Sequence, residues 1–253
     1  MEYSLEILLL LFFVAMLAGW VDTIAGGGGL LTLPALLLCG LPPAVVLATN
    51  KLQGSSGTLI SALYFIRKGT VNLKDMRLLI LMTFIGSVLG SWLILRSNAD
   101  FLLHILPLIL ILVGLYFLFA PRVSDLDRER RLKPLAFALL ICPLLGFYDG
   151  FFGPGTGSFM ALALVTLCGY GLPRATAQTK VLNFTSNISA LLYFIFFGEI
   201  AWLVGGVMIA GQMIGATVGA NMVVNIGSRL IKPVIVMVCF AMAGRILWQN
   251  MVA

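Results

Sequence analysis

The stretch Asp22-Thr-Ile-Ala-Gly-Gly-Gly-Gly29 returns in the second half of the chain as Asp149-Gly-Phe-Phe-Gly-Pro-Gly-Thr-Gly157. Each stretch places an acid and a run of glycines inside an apolar segment, where a helix cannot continue comfortably. Such a break exposes backbone N–H and C=O groups, which are tolerated at membrane depth only where they face protein, a ligand or water. Paired breaks at equivalent positions of two halves favour a binding site, and a tight turn between two helices is the structural alternative.

The composition is that of an integral membrane protein. Of the 253 residues, 60% are hydrophobic and 10% are charged, and the mean hydropathy is +1.07. Each crossing of a bilayer needs roughly 20 apolar residues, so we expect about eight to ten membrane segments. The net charge of +6 does not indicate a nucleic-acid partner, because the basic residues cluster in short breaks between apolar runs, where they orient helices.

An internal repeat relates the two halves. Residues 38–69 align without gaps with residues 167–198, which places Lys51 opposite Lys180. After a two-residue slip upstream, the two glycine breaks also align. We therefore predict three parts: a first membrane repeat over 1–120, a basic cytoplasmic linker over 121–133 and a second membrane repeat over 134–253.

Small residues recur at equal spacing in both repeats. Gly86-x3-Gly90 aligns with Gly215-x3-Gly219. Small residues four apart allow two helices to approach closely in lipid, so these pairs predict helix contacts rather than chemistry.

Each half contains four long apolar runs and one short run that follows the glycine break. The short run 30–41 would span about 18 Å as a helix, which is less than the ~30 Å hydrocarbon core, so we expect half-helices. The runs fall near 5–24, 30–41, 43–66, 76–96 and 101–120 in the first half, and near 134–150, 156–170, 175–197, 200–224 and 230–249 in the second.

The loop charges predict that the two repeats are inverted. Lysine and arginine prefer the cytoplasmic side, and the first half carries Arg67, Lys68, Lys74 and Arg77 in one loop. The equivalent loop near Gly198 has no basic residue, whereas a later break carries Arg229 and Lys232. The fold class is therefore an all-α polytopic membrane protein of two inverted repeats, each with about four long helices and one short broken-helix segment. Both termini would lie outside; cytoplasmic termini would instead make the short runs re-entrant loops.

Two lysines mark the candidate binding site. Lys51 and Lys180 each lie about two turns inside an apolar run, where a buried ammonium group is costly. Snorkelling from a helix end is the alternative, but polar neighbours in both repeats indicate the lining of a cavity that attracts an anion. The substrate-binding candidates are Lys51, Lys180, Asn50, Gln53, Thr179, Asn183, Gly27, Gly28 and Gly155.

Asp22 and Asp149 have two candidate roles. Each carboxylate could neutralise a buried lysine as an ion pair. Alternatively, a carboxylate in apolar surroundings could take up and release a proton during transport. His104 is the only histidine, and we expect a surface or packing role for it.

These motifs resemble the TauE/SafE family of sulfite and organosulfonate exporters. The resemblance rests on Asp22 to Gly29, on the Ala-Thr-Asn-Lys-Leu-Gln segment over 48–53 and on the Asp-Gly-Phe-Phe-Gly-Pro segment over 149–154, with a basic linker between the halves. It covers nearly the whole chain. It implies an inner-membrane carrier for sulfite, sulfoacetate or other sulfonates, driven by protons or by the membrane potential, although some members are proposed to import. Pro-Gly-Thr-Gly157 departs from the small residues often found in the second motif.

The leading hypothesis is a secondary transporter that exports a small anion, with the lipid bilayer as its other partner and no cofactor. The sequence contains no GxxxxGK[ST] motif, so the energy would come from an ion gradient or from a partner. A metal site is not expected, because histidine is nearly absent and the cysteines are scattered. An intramembrane enzyme that acts on a lipid-linked substrate is the alternative, although duplicated charges without a nucleophile and base in one cluster disfavour it.

Overall fold

A computed structural model describes residues 3–98 and 129–222, together with separate positions between 101 and 115. These parts of the chain are helical, with no strand among them. The predicted run 230–249, the linker up to residue 128, His104, Arg229 and Lys232 lie outside the described residues, as do most positions of the predicted run 101–120. The helices are α1 (Leu5–Ala25), α2 (Gly29–Leu38), α3 (Pro43–Arg67), α4 (Arg77–Leu95), α5 (Pro134–Phe151), α6 (Thr156–Cys168), α7 (Leu172–Phe197) and α8 (Trp202–Met222).

Five of these helices are long and apolar enough to cross a membrane, namely α1, α4, α5, α7 and α8, and the shorter apolar helices α2 and α6 follow the glycine breaks. Large apolar side chains such as Leu5, Leu140 and Phe196 are exposed on the outer surface, where lipid would cover them. The prediction of an all-α, multi-pass membrane protein is confirmed.

The centre of the molecule is polar. Helices α3 and α7 bury threonine, asparagine, serine and lysine side chains along their length, and Lys51 and Lys180 are each 1% exposed. This arrangement explains why α3 is long but less apolar than the other long helices. A membrane protein can place polar groups inside the bundle because its outer surface is the one that faces lipid.

Glycines join the two halves in the way that the small-residue spacing predicts. A Cβ atom on Gly215 in α8 would collide with the carbonyl oxygen of Met16 in α1, and one on Gly90 in α4 would collide with that of Phe147 in α5. The backbones of α1 and α8, and of α4 and α5, therefore touch directly. The prediction that these glycines mark helix contacts is confirmed.

The order of the contacts gives the relative directions of the helices. Along α1 and α8, Phe12 meets Gly211 and Met16 meets Gly215, so the two helices run in the same direction. Thr83 and Ser87 of α4 likewise meet Gly146 and Gly150 of α5 in rising order.

Helix α3 runs in the same direction as α8, because Leu52 meets Gly205 and Gly57 meets Gln212. These directions are compatible with an inverted repeat. The complete inverted repeat also involves the predicted run 230–249 and stays a prediction.

Candidate functional site

Each glycine break is held in a backbone conformation that suits glycine. Helix α1 ends at Ala25 and is capped by Gly26, which has φ 77° and whose N–H donates to the carbonyl oxygen of Asp22 at 2.7 Å. In the second half, Gly153 has φ 96° and Gly155 has φ 75°. Residues with a side chain rarely adopt these angles. The glycines therefore end α1 and α5 within the protein and start α2 and α6 there.

The two breaks touch each other at the centre of the bundle. A Cβ atom on Gly157 would lie 2.6 Å from Gly26 Cα, so no side chain fits between the two backbones. Ser158 Oγ donates a hydrogen bond across the same junction to the carbonyl oxygen of Ala25. The start of α6 is thereby fixed against the end of α1.

The buried lysine of each half reaches across to the other half of the protein. Lys51 Nζ on α3 lies 2.9 Å from Asp149 Oδ2 on α5, as an ion pair rather than an aligned hydrogen bond. Lys180 Nζ on α7 donates to the backbone carbonyl oxygen of Asp22 on α1. Each lysine therefore contacts the glycine break of the other half, as would follow if a pseudo-two-fold axis passed between them.

A cavity of about 30 Å³ lies between the breaks, which is room for about two water molecules. Every residue that lines the cavity is charged, polar or glycine, in contrast to the apolar outer surface. The lining residues are Asp22, Gly26, Gly28, Gly29, Asn50, Lys51, Gln53, Gly54, Thr58, Asp149, Gly153, Gly157, Asn183, Asn187 and Gln212.

Two side-chain amides present donors to this cavity. The oxygen of Asn50 accepts from Thr32 Oγ1 at 2.6 Å and from Gln53 Nε2 at 2.8 Å, and the oxygen of Asn183 accepts from Asn187 Nδ2 at 3.1 Å. The Nδ2 groups of Asn50 and Asn183 consequently remain as donors. Each lies beside the start of a broken helix, because Asn50 Nδ2 is next to Gly29 and Asn183 Nδ2 is next to Gly157.

The first turns of α2 and α6 add backbone donors. Within the described parts of the chain, the N–H groups of Gly29 and Gly157 have no hydrogen-bond acceptor, as is usual for the first residues of a helix. Both glycines line the cavity. The N-terminus of a helix also carries a partial positive charge, so these two ends favour an anion between them.

Besides Asp149 Oδ2, which is paired with the charge of Lys51, three acceptors at the cavity are buried without a hydrogen-bond partner among the described residues. They are Asp22 Oδ2, Gln53 Oε1 and Gln212 Oε1. The other carboxylate oxygen of Asp22 accepts from the N–H of Gly28 at 3.1 Å. A buried polar atom without a partner is costly, so these atoms call for water, a proton or a ligand.

The structure brings most of the candidate residues together. The cavity is lined by seven of them: Lys51, Asn50, Gln53, Asn183, Gly28, Asp22 and Asp149. The other four, Lys180, Thr179, Gly27 and Gly155, are not among its lining residues. Four further lining residues belong to the glycine breaks, and the other four, Gly54, Thr58, Asn187 and Gln212, were not predicted from the sequence. Asn187 follows Asn183 by about one helical turn, and Gln212 is a polar side chain inside an apolar run. Both features are visible in the sequence and could have indicated these two residues. Within the described residues no three metal-ligating side chains come together.

Comparisons with known proteins agree with this architecture. The profile of the family described as "Sulfite exporter TauE/SafE" matches residues 11–246. A "Probable membrane transporter protein" of Haemophilus influenzae is 49% identical over 250 residues, which cover 99% of this chain and 98% of the relative. The "Probable membrane transporter protein YfcA" of Escherichia coli is 52% identical over 240 residues, 95% of this chain and 89% of the relative. The more distant "Probable membrane transporter protein YunE" of Bacillus subtilis is 22% identical over 236 residues, 83% of this chain and 86% of the relative.

Proposed function

The chain belongs to the sulfite exporter TauE/SafE family and is a multi-pass membrane transporter, and from this premise we propose that it exports a small sulfur-containing anion. The substrate class is sulfite, sulfoacetate or a similar organosulfonate, and the membrane is the inner membrane of the cell. Export is driven by a proton gradient or by the membrane potential. The sulfur chemistry and the outward direction follow the family description.

One observation carries the proposal of an oxyanion site. Donors from both halves converge on a single buried cavity: the Nδ2 groups of Asn50 and Asn183, the N–H groups of Gly29 and Gly157, and the ammonium group of Lys51. The several oxygens of a sulfite or sulfonate group accept such hydrogen bonds at once, and charged acceptors strengthen each bond. Chloride is a single spherical ion and does not need donors that come from several directions to meet separate oxygen atoms.

Lys180 completes the positive charge at the site. Its ammonium group is buried and lies next to the cavity through its bond to the Asp22 carbonyl oxygen. Within the described residues it has no carboxylate partner within salt-bridge distance, in contrast to Lys51. The charge of Lys180 is therefore the less neutralised of the two, and we assign it the main role in attracting the anion.

The distribution of surface charge supports one orientation in the membrane. One face of the bundle contains the ends of helices α3 and α6 and the starts of α4, α5 and α7. The basic residues at this face are Arg67, Lys68, Lys74, Arg77, Arg130, Arg131, Lys133 and Arg174. The opposite end carries Arg96 with Glu6 and Glu199. Because lysine and arginine are retained on the cytoplasmic side, the basic face and the linker would lie inside and both termini outside.

Cysteine labelling tests this orientation. Asn72→Cys and Asn98→Cys, introduced in a background without the native cysteines, lie near the two ends of α4. In intact spheroplasts an impermeant maleimide should label Asn98→Cys alone, and in inside-out vesicles it should label Asn72→Cys alone. The opposite pattern would reverse the proposed orientation.

A flux assay tests the function. The purified protein is reconstituted in liposomes, and uptake of sulfite, sulfoacetate and taurine is compared with that of chloride and phosphate, with and without an imposed pH gradient or potential. Saturable flux of a sulfur anion, with little flux of chloride, is the expected result. If the folded protein carries none of these anions, the proposal fails, and an intramembrane enzyme that acts on a lipid-linked substrate becomes the better hypothesis.

A further inference from the structure

The two aspartates of the glycine breaks are equivalent in the repeat but differ in their contacts. Asp149 places Oδ2 at 2.9 Å from Lys51 Nζ, and both side chains are 2% exposed. Lys180, the repeat equivalent of Lys51, instead contacts the backbone oxygen of Asp22. The Asp22 carboxylate accepts one N–H from Gly28 through Oδ1, and its Oδ2 is buried with no partner among the described residues.

These contacts decide which carboxylate can take up a proton. A proton on Asp149 would leave the buried ammonium group of Lys51 without its counter-charge, which is strongly unfavourable. A proton on Asp22 Oδ2 breaks no hydrogen bond, because Oδ1 continues to accept from Gly28. Once protonated, Asp22 Oδ2 can also donate a hydrogen bond to a group in the cavity.

The charges around Asp22 indicate that a proton is needed when an anion binds. Lys180 faces it from α7, Lys51 from α3 and Asp149 from α5. Helices α2, α6 and α8 contribute no acid, base or histidine. Among the described residues, two lysines and two aspartates at the site sum to zero charge, so a bound monoanion leaves one negative charge buried in the bilayer. One added proton restores neutrality, and neutrality lowers the cost of carrying the site through the membrane.

We propose that Asp22 takes up one proton with each monoanion that binds, while Asp149 stays ionised as the structural partner of Lys51. The proton comes from the water on the loading side, resides on Asp22 Oδ2 while the anion is bound, and leaves with the anion on the far side. This inference rests on the proposed transport function and deepens it. Anion and proton then move together without net charge, so that, of the two driving forces proposed above, the membrane potential does not act on this step. Outward flow requires that the product of the proton and anion concentrations is higher inside.

The experiment separates coupling from transport. Proteoliposomes that contain the wild type, Asp22→Asn, Asp149→Asn or Glu199→Gln are assayed in mildly acidic buffer, in which sulfite is mainly the monoanion bisulfite. The assays measure exchange of labelled sulfite at equal pH and net uptake. Net uptake is driven by a pH gradient or by a potassium diffusion potential, and internal pH is followed with a dye. Glu199→Gln is the matched control, because this carboxylate is exposed and lies away from the cavity.

Wild-type uptake should acidify the interior and respond to pH but not to potential. Asp22→Asn should keep a reduced but saturable exchange, lose proton movement by about tenfold or more, and become sensitive to potential, because each anion now carries its charge alone. Asp149→Asn should lose exchange and net uptake together.

Three results would overturn the inference. The first is that Asp22→Asn still moves protons at the wild-type ratio of protons to anions. The second is that Asp22→Asn loses exchange although size-exclusion chromatography shows it to be folded, and the third is that wild-type uptake is driven by the potential without proton movement. Each of these results is still compatible with the proposed anion transport. Absence of any sulfite flux in the wild type would instead contradict the proposed function itself.

Discussion

Lys51 on α3 and Asp149 on α5 form a buried ion pair that joins the first half of the protein to the second, with 2.9 Å between Nζ and Oδ2. Two charges that have lost their water depend on each other, so removal of one leaves the other uncompensated. Replacement of both by apolar residues of similar size is far less harmful. The pair can therefore be tested separately as a structural link and as part of the transport site.

We expect Lys51→Met to lower the free energy of unfolding by about 3–5 kcal/mol, because Asp149 is left as an unpaired buried charge. The double substitution Lys51→Met with Asp149→Leu should recover most of this loss, yet it should not restore anion flux. Thermal unfolding of the detergent-purified variants measures the first effect, and liposome flux measures the second. Lys74→Met, at an exposed loop position, is the control. Equal stability of Lys51→Met and Lys74→Met would show that the pair does not hold the halves together.

Much of this architecture could be predicted from the sequence because hydropathy and glycine are strong signals in a membrane protein. The predicted run 43–66 corresponds to α3 at Pro43–Arg67, and the predicted run 76–96 corresponds to α4 at Arg77–Leu95. The bilayer excludes unpaired backbone groups, so an uninterrupted apolar run of this length becomes a helix. The glycine breaks were recognisable for the same reason.

The contacts inside the site were less accessible to sequence analysis. The repeat shows that Lys51 is equivalent to Lys180, but equivalence does not reveal that Lys51 pairs with the aspartate of the other half. That pairing depends on how the two halves pack. Gln212 illustrates the same limit, because a single glutamine in the apolar run of α8 gives no sign of the direction in which it points until α8 is placed against α3.

The glycine contact between α1 and α8 predicts a large difference between two substitutions on one helix. Gly215→Ala would drive a methyl group into the carbonyl oxygen of Met16, whereas Gly206→Ala faces open space, with nothing within 4 Å. We expect Gly215→Ala to cost roughly 1–3 kcal/mol or to prevent folding, because a packed interface must separate. Gly206→Ala should match the wild type. Size-exclusion profiles and thermal unfolding in detergent compare the two, and similar stabilities would contradict direct backbone contact between α1 and α8.

Lys180 should control the apparent affinity for the anion. Its ammonium group lies beside the cavity and contacts a backbone oxygen rather than a carboxylate, so an anion would be its main counter-charge. We expect Lys180→Met to raise the KM for sulfite by about tenfold or more, and Lys180→Arg to raise it less, because the positive charge is kept. Saturation curves in liposomes measure both. Lys133→Met changes an exposed lysine and should leave the KM unchanged; an unchanged KM for Lys180→Met would remove Lys180 from the site.

A substitution at Gly29 tests whether the size of the cavity limits which anions bind, because Gly29 lines the cavity and has room for one methyl group. A Cβ atom there would lie 3.6 Å from Pro154 Cα and 3.7 Å from Asn50 Nδ2, both ordinary van der Waals distances, so Gly29→Ala should fold. The methyl group would occupy part of the cavity while the N–H of residue 29 remained as a donor.

We therefore expect Gly29→Ala to raise the KM for sulfoacetate by about three- to tenfold and the KM for the smaller sulfite by less, since a group that narrows a binding cavity excludes a large ligand more than a small one. Liposome saturation curves for both anions, with Gly206→Ala as the control, give the ratio of the two effects. An equal change for both anions would mean that the methyl group disturbs the start of α2 rather than the space for the substrate. No change for either would mean that the anion does not pass beside Gly29, and the oxyanion site would then have to be placed elsewhere in the bundle.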